Sequence, residues 1–338
     1  MPTLQDIANI VGVSSATVSL ALSNNPRISD EMKAKVRKTA IEIGYKKVPK
    51  WGDDVLSNPN TRSRSIGVLY LGSNPQNMNQ GFFKDGLMGV CQEAARIDRT
   101  VVMLGIQATE QIVDPDELFD QVTRSGAEGI IVVSTAQNLY GLDKLLGHGF
   151  PMVFIGNRTL ADRKERLHTV ATDLQDAKRT GLDYLIELGH KRIAVLMAES
   201  NLSQWSREWP QYEGAEITTF IVSAPFDPTG EDWNELKNYG ATAIFAANVP
   251  LGHAAMNFLR AIGKSVPEQV SLISYDDAPS YPYENPPITA VKQNMESIGR
   301  QSTKMLCELL ETPGQSPTQV MLPTQLVVRK SCAPPTSI

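Results

Sequence analysis

Residues 14–20 read Ser-Ser-Ala-Thr-Val-Ser-Leu, a run of hydroxyls and methyls with no charge, ring or thiol. Such side chains are poor acids, bases and metal ligands; what they do well is hydrogen-bond and make close apolar contact. On a helix slim enough to enter a groove, Thr17 and Ser19 would donate to phosphate oxygens. Ser15, Ala16 and Leu20 would meet base edges and thymine methyls. Residues that usually carry catalysis are sparse. The four histidines (His148, His168, His190, His253) are scattered, and His190 in "ELGHKR" follows a helical pattern and reads as a cap. Cys91, Cys307 and Cys332 lack metal-ligand spacing. No G-x-G-x-x-G follows a strand, and neither a P-loop nor G-x-S-x-G occurs. The expectation is a binding protein, not an enzyme, with no metal and no cofactor.

The elements that must hold the hydroxyl run are short helices. Thr3 followed by Asp6 fits a capping box, placing a helix at Leu4–Val11 with Leu4, Ile7, Ala8 and Val11 on one face. Gly12 ends it, and Ser14 caps a second helix that carries Val18, Ala21 and Leu22. A third begins near Ser29, turns Met32, Val36, Ala40 and Ile43 inward and stops at Gly44. Ala8, Gly12 and Val18 have the spacing of a helix-turn-helix: a small residue at the crossing, a turn, and a plug beneath. Thr3, Ser14, Asn24 and Arg27 join Ser15, Ala16, Thr17, Ser19 and Leu20 as candidate DNA-binding residues.

Charge is distributed accordingly. Residues 1–50 hold eight Lys/Arg against four acids, a net +4, so that in a chain of net −5 the remainder carries −9. A basic head on an acidic body is the footprint of a protein that brings only its head to phosphate. No run of eighteen apolar residues and no secretory leader pattern is present, so a cytoplasmic protein without membrane association is expected.

From residue 65 short apolar runs alternate with amphipathic stretches. "SIGVLYL", "TVVMLGI", "GIIVVS" and "PMVFIG" read as buried parallel strands, with helices near 83–96, 115–125 and 141–148. "RIAVLMA", "ITTFIV", "AIFAAN" and "SLISYD" repeat the pattern, with helices near 175–188, 231–239 and 251–262. The chain then returns through "ITAVKQN" and a helix at 295–311 to "MLPTQLVVRKS". Two doubly wound α/β lobes are expected, with a ligand cleft beyond the carboxyl ends of the strands. Asn248 and Asp276 each end a strand on that rim.

"TLQDIANIVGVSSATVSLALSNNPRISDEMKAKVRKTAIEIGY" strongly resembles the LacI/GalR family of bacterial transcription regulators. The likeness continues through "FFKDGLMGVCQEA", "LIELGHKRIAVL", "VPEQVSLISYDDAP" and "PPITAVKQNMESIGR" to about residue 331. It implies an N-terminal all-α helix-turn-helix domain at 1–47, a linker or hinge at 48–64, and a periplasmic-binding-protein-like core at 65–331. The first lobe is expected at about 65–156 plus 294–318, the second at about 157–290 plus 319–331. The implied partners are double-stranded operator DNA, a second copy of the chain and a small effector such as a sugar. Phe83, Asn157, Arg207, Asn248 and Asp276 are the candidate effector-binding residues, Asp276 matching the family's carboxylate for ligand hydroxyls.

Several positions depart from the family. Val249 follows Asn248 where an Asp is usual, and the helix after "RIAVL" is shortened to "SNLSQWSREWPQYEGAE", leaving Arg207 as its nearest arginine. Trp205, Trp209 and Tyr212 in that segment either stack on a ring-shaped ligand or pack against the lobe or a dimer partner. Leu20 stands where a polar reader is frequent, which points to T-rich contacts in place of a central CG step. The linker "KKVPKWGDDVLSNPNTRSRS" carries Asp53 and Asp54 and offers Leu56 as its minor-groove wedge; it reads first as a flexible tether and second as an unusual hinge helix. The main expectation is an effector-responsive DNA-binding regulator, a repressor; the alternative is a small-molecule binding protein with weakened or lost DNA regulation.

Overall fold

Three helices open the chain: α1 (Leu4–Val11), α2 (Ser15–Leu22) and α3 (Asp30–Glu42). The computed structural model describes residues 2–22, 28–43, 45, 63–71, 81–105, 115–134, 142–156, 167–199, 202–205, 208–223, 230 and 232–336. The expected linker, including Leu56, lies outside these residues, as do Asn24, Arg27, Gly44, Asn157 and Arg207. The three helices share a small apolar centre of Ile7, Ala8, Val11, Val18, Ala21, Leu22, Val36 and Ala40, each almost wholly buried. Gly12 adopts φ 82°, a left-handed turn that a side chain would resist, and its N–H closes α1 on the Ala8 carbonyl.

The body contains two sheets with the same winding. The first holds β1 (Ser65–Leu71), β2 (Thr100–Gly105), β3 (Gly129–Ser134), β4 (Met152–Ile155), β5 (Thr169–Thr172) and β11 (Gln319–Leu322). Its spatial order is β2-β1-β3-β4-β5-β11 and all its pairings are parallel. The second holds β6 (Arg192–Met197), β7 (Glu216–Ile221), β8 (Ala243–Ala246), β9 (Ser271–Tyr275), β10 (Thr289–Gln293) and β12 (Thr324–Val327). Its order is β7-β6-β8-β9-β10-β12, parallel except where β12 runs against β10. Buried on both faces, β4, β5, β8 and β9 are uninterrupted runs of buried residues, as central parallel strands must be.

Helices α4 (Gly81–Arg96), α5 (Pro115–Arg124), α6 (Leu142–Gly147) and α11 (Met295–Glu311) accompany the first sheet. Helices α7 (Leu174–Glu187), α8 (Leu202–Trp205), α9 (Asp232–Tyr239) and α10 (Val249–Ala261) accompany the second. α4 and α11 meet backbone to backbone. A β-carbon on Gly89 would stand 2.0 Å from the Glu296 carbonyl oxygen, and one on Gly299 would stand 2.1 Å from that of Gly86.

The chain passes between the sheets at Asp173, Asn294 and Pro323, the residues between β5 and α7, β10 and α11, and β11 and β12. This corrects the expected lobe boundaries. β5 and β11 both belong to the first sheet, so residues 169–172 and 319–322 lie in the first lobe, not the second. The sequence reading missed β5 because "TVAT" is only four residues long and half of it is hydroxylated. Its burial comes from flanking strands and not from its own composition. The crossings are tied together: the Asp173 N–H donates to the Leu322 carbonyl at 2.9 Å, and Thr324 donates N–H and O–H to Asp176 Oδ2 at 2.7 and 2.8 Å.

Candidate nucleic-acid interface and ligand cleft

In the head, the hydrogen-bonding capacity of the helix starts is largely used within the chain. Thr3 Oγ1 accepts from the Asp6 N–H at 3.3 Å, while Asp6 Oδ2 accepts from the Thr3 N–H and O–H, both at 2.7 Å. These bonds from Thr3 hold the Asp6 carboxyl below its usual range. Ser14 Oγ accepts from the Thr17 N–H at 3.0 Å and lies 2.8 Å from Thr17 Oγ1. The half-buried Thr17 is therefore turned toward the cap, while Ala16, Ser19 and Leu20 face solvent and Ser15 is half-buried. Leu20 is 39% exposed and lies outside the apolar core beneath α2. Lys35 and Lys38 on α3 are also exposed. The geometry is a short uncharged helix with small side chains packed on two others, a shape that fits a major groove.

In the body, each sheet reverses its winding beside its central strand, between β1 and β3 in one lobe and between β6 and β8 in the other. Ligands of open α/β sheets sit outside the carboxyl ends of strands at such points. In the first lobe that position holds Tyr70, whose buried hydroxyl has no hydrogen-bond partner among the described residues. Phe83 packs against it edge-on, with ring centres 4.9 Å apart, and is itself buried in the lobe. A buried hydroxyl without a partner is costly unless something arrives to satisfy it.

In the second lobe Asn248 follows β8 and starts α10. Its Oδ1 accepts from the Leu251 N–H at 2.9 Å, so one of its polar atoms serves as a helix cap. Asp276 follows β9 with φ 65°, a conformation uncommon outside glycine, and its N–H donates to the Val291 carbonyl at 3.0 Å. Burial raises its carboxyl to about 6, against the opposing bond from Gln293 Nε2, which donates to Oδ1 at 2.6 Å. The neighbouring Asp277 raises it further; that carboxylate is itself clasped by the Arg329 guanidinium at 2.8 and 2.9 Å. An acid so placed titrates near neutrality and is suited to accepting hydrogen bonds from hydroxyls.

The tryptophans resolve toward packing. Trp205 and Trp209 stack 5.5 Å apart and are buried, Trp205 meeting Tyr275 edge-on at 4.5 Å and Trp209 meeting Phe245 at 5.3 Å. Trp205, the last residue of α8, and Trp209 thus pack against rings of β8 and β9. Tyr212 donates to Asp183 Oδ1 at 2.5 Å on the lobe's flank. The fully buried Lys178 lies over the Trp209 ring at 4.9 Å and donates to the Glu208 carbonyl at 2.5 Å, and burial lowers its pKa. Nothing in "DAKRT" distinguished that lysine from its exposed neighbours, and nothing marked Tyr70 or Gln293. His190 is held at both ring nitrogens, by Thr242 Oγ1, Ser271 Oγ and the Ala333 carbonyl, each at 3.0 Å; it locks the C-terminal strap to the lobe. Among the described residues no cluster of three or more His, Cys, Asp or Glu is arranged to hold a metal, and no helix is long and apolar enough to cross a membrane.

Comparison with known proteins agrees with this geometry. Residues 3–47 match the family described as bacterial regulatory proteins, lacI family. Residues 63–212 match the periplasmic binding proteins and sugar binding domain of LacI family, and 182–332 the periplasmic binding protein-like domain. The chain is 26% identical over 341 residues to the HTH-type transcriptional regulator CelR of Thermobifida fusca, covering 98% of each chain. It is 26% identical over 352 residues to the probable HTH-type transcriptional repressor ExuR of Bacillus subtilis, again covering 98% of each. Its fold matches the solved transcriptional regulator CelR–cellobiose complex with a TM-score of 0.64 at 24% identity, covering 98% of this chain and 100% of that one.

Proposed function

The chain belongs to the LacI family of bacterial regulatory proteins, and from that premise we propose how it regulates. It acts as a cytoplasmic homodimeric repressor that presents two copies of α2 to successive major grooves of a near-palindromic operator. Ser15, Ala16, Ser19 and Leu20 read the bases, while Thr3, Ser14, Thr17, Asn24 and Arg27 set the helix against phosphate. Leu56 in the linker contacts the operator centre. The observation that carries this reading is the outward face of α2: Ala16, Ser19 and Leu20 lie exposed outside the apolar core to which Val18, Ala21 and Leu22 of the same helix contribute.

The effector is a sugar bound between the lobes. Asp276 accepts from its hydroxyls, Asn248 and Phe83 line the rim, and Asn157 and Arg207 complete the set. Support comes from the near-neutral carboxyl of Asp276, the Tyr70 hydroxyl that lacks a partner among the described residues, and the cellobiose-bound relative. Binding favours one lobe arrangement and so changes operator affinity by a coupling of about 1–3 kcal/mol. The deciding experiment is fluorescence anisotropy with a selected operator over a range of salt. A steep fall of affinity with salt is expected, from phosphate neutralisation by the head. A flat dependence, or no sequence preference, would overturn the regulatory reading for α2. A thermal-shift panel led by cellobiose and ribose tests the effector.

A further inference from the structure

Three side chains at the lobe crossing form one directed series of hydrogen bonds. Gln293, the last residue of β10 in the second lobe, donates through Nε2 to Asp276 Oδ1 at 2.6 Å. Its Oε1 accepts from the hydroxyl of Thr172 at 2.5 Å. Thr172 is the last residue of β5 in the first lobe and is buried. A carboxylate can only accept, which fixes the amide orientation, so each O–H and N–H in the series points toward Asp276. Series aligned in this way polarise one another in a low-dielectric interior.

The placement gives the series its meaning. Thr172 and Gln293 immediately precede two of the three residues where the chain passes between sheets. Gln293 therefore grips one lobe through Thr172 while its amide holds the second lobe's acid. Any change in lobe arrangement that withdraws Thr172 frees the Gln293 carbonyl and, with it, the amide that stabilises the charged carboxylate.

We propose that Gln293 is a positioning residue for Asp276, and that Thr172 and Gln293 make the lobe arrangement and the state of that carboxylate a single linked equilibrium. The proposal deepens the effector reading of Asp276, on which its role in regulation rests. A hydroxyl-bearing ligand that donates to the other carboxylate oxygen then strengthens the grip of Gln293 on Thr172. By reciprocity the arrangement that brings Thr172 close raises affinity for that ligand. The other ionisable groups facing Asp276 among the described residues are Asp277 with its partner Arg329 and the phenols of Tyr275 and Tyr281.

The test needs no effector. The full chain is labelled with carbon-13 at aspartate carboxyls, the Asp276 resonance is assigned by its loss in Asp276→Asn, and its titration is followed by NMR. The wild-type midpoint is expected near 6. Gln293→Met removes the amide donor and should raise the midpoint by about half a unit to one unit, three- to tenfold in the ionisation constant. Thr172→Val, which alters a side chain in the other lobe that supplies no hydrogen bond to Asp276, should raise it in the same direction by a smaller step. Thr172→Ser keeps the hydroxyl and should leave it in place. An unmoved midpoint in Gln293→Met overturns the positioning role, and an unmoved midpoint in Thr172→Val overturns the coupling between lobes. If Gln293→Met does not fold, the two threonine variants decide alone. Loss of the effector reading would look different: Asp276→Asn would bind the sugars of the thermal-shift panel as the wild type does, with these titration shifts unaffected.

Discussion

The two lobes share a strand order and cover their sheets by different means. The first lays α4 and α11, 16 and 17 residues long, directly against each other through glycines. Among the described residues between β6 and β7, the second has the four-residue α8, whose Trp205 stacks on Trp209. In the first lobe the close contact is made by backbone atoms, at Gly89 against Glu296 and at Gly299 against Gly86. Indole packing reaches the cleft, because Trp205 rests on Tyr275, the residue before Asp276. In the second lobe, then, the same side chains build the core and support the site, and disturbing one disturbs both.

The sharpest way to break that contrast is Trp205→Ala. Truncating a buried tryptophan of this kind should cost about 3–5 kcal/mol, read by urea denaturation with circular dichroism. It should also weaken effector binding through Tyr275. A loss under about 1 kcal/mol would mean the indoles do not bear the lobe. In the first lobe, Gly89→Ala should cost about 1–3 kcal/mol or more, since the new methyl meets the Glu296 carbonyl and backbone atoms have little room to yield. Operator and effector affinities, measured on the folded fraction, should stay near wild type there.

Where the sequence alone was sufficient, the signal was local. The capping box of Thr3 and Asp6, the left-handed Gly12 and the 3.6-residue periodicity of α3 are each written within a few neighbouring residues, and the structure follows them. The runs of β1 and β3 are apolar apart from one terminal serine each and equally plain. What escaped depends on distant partners. β5 is a strand because β4 and β11 flank it, about fifteen and a hundred and fifty residues away. Gln293 and Thr172 are ordinary polar residues that acquire a role only when 121 positions of chain are folded back. The tryptophans carried two meanings, ligand platform and core, and only their mutual stacking and burial separate these. Asp276 was visible as a strand-end acid, but its raised ionisation and positive φ were not.

Asp276 sharpens the comparison in another way, because the second lobe gives up stability to hold it. Its carboxyl sits near 6 when folded, against an ordinary value of 3.8. The folded state therefore prefers the protonated acid. Stability is undiminished below about pH 4, falls as pH rises through 6, and stays reduced above that. Asp276→Asn should remove the loss, raising stability above pH 7 by roughly 1–3 kcal/mol and leaving it unchanged below pH 4. Denaturant midpoints of both proteins across that range check the sign. A difference that grows toward acid pH would show that the carboxylate stabilises the lobe.

The smallest effect on folding, and the most specific effect on function, belongs to the head. Leu20 projects from α2 without contributing to the buried centre beneath it, so Leu20→Arg should change stability by less than about 0.5 kcal/mol. Its consequence lies in base preference. A leucine offers only methyl contact, which suits thymine, whereas a guanidinium can donate twice to guanine N7 and O6. Binding-site selection on wild type and variant should therefore show T-rich sequence near the operator centre giving way to G, with discrimination of about 1–3 kcal/mol at that pair. Since Leu20 lies outside both lobes, effector affinity should not move at all. If the selected sequences were identical, the exposed leucine would not be reading bases, and recognition would have to rest on Ser15, Ala16 and Ser19 alone.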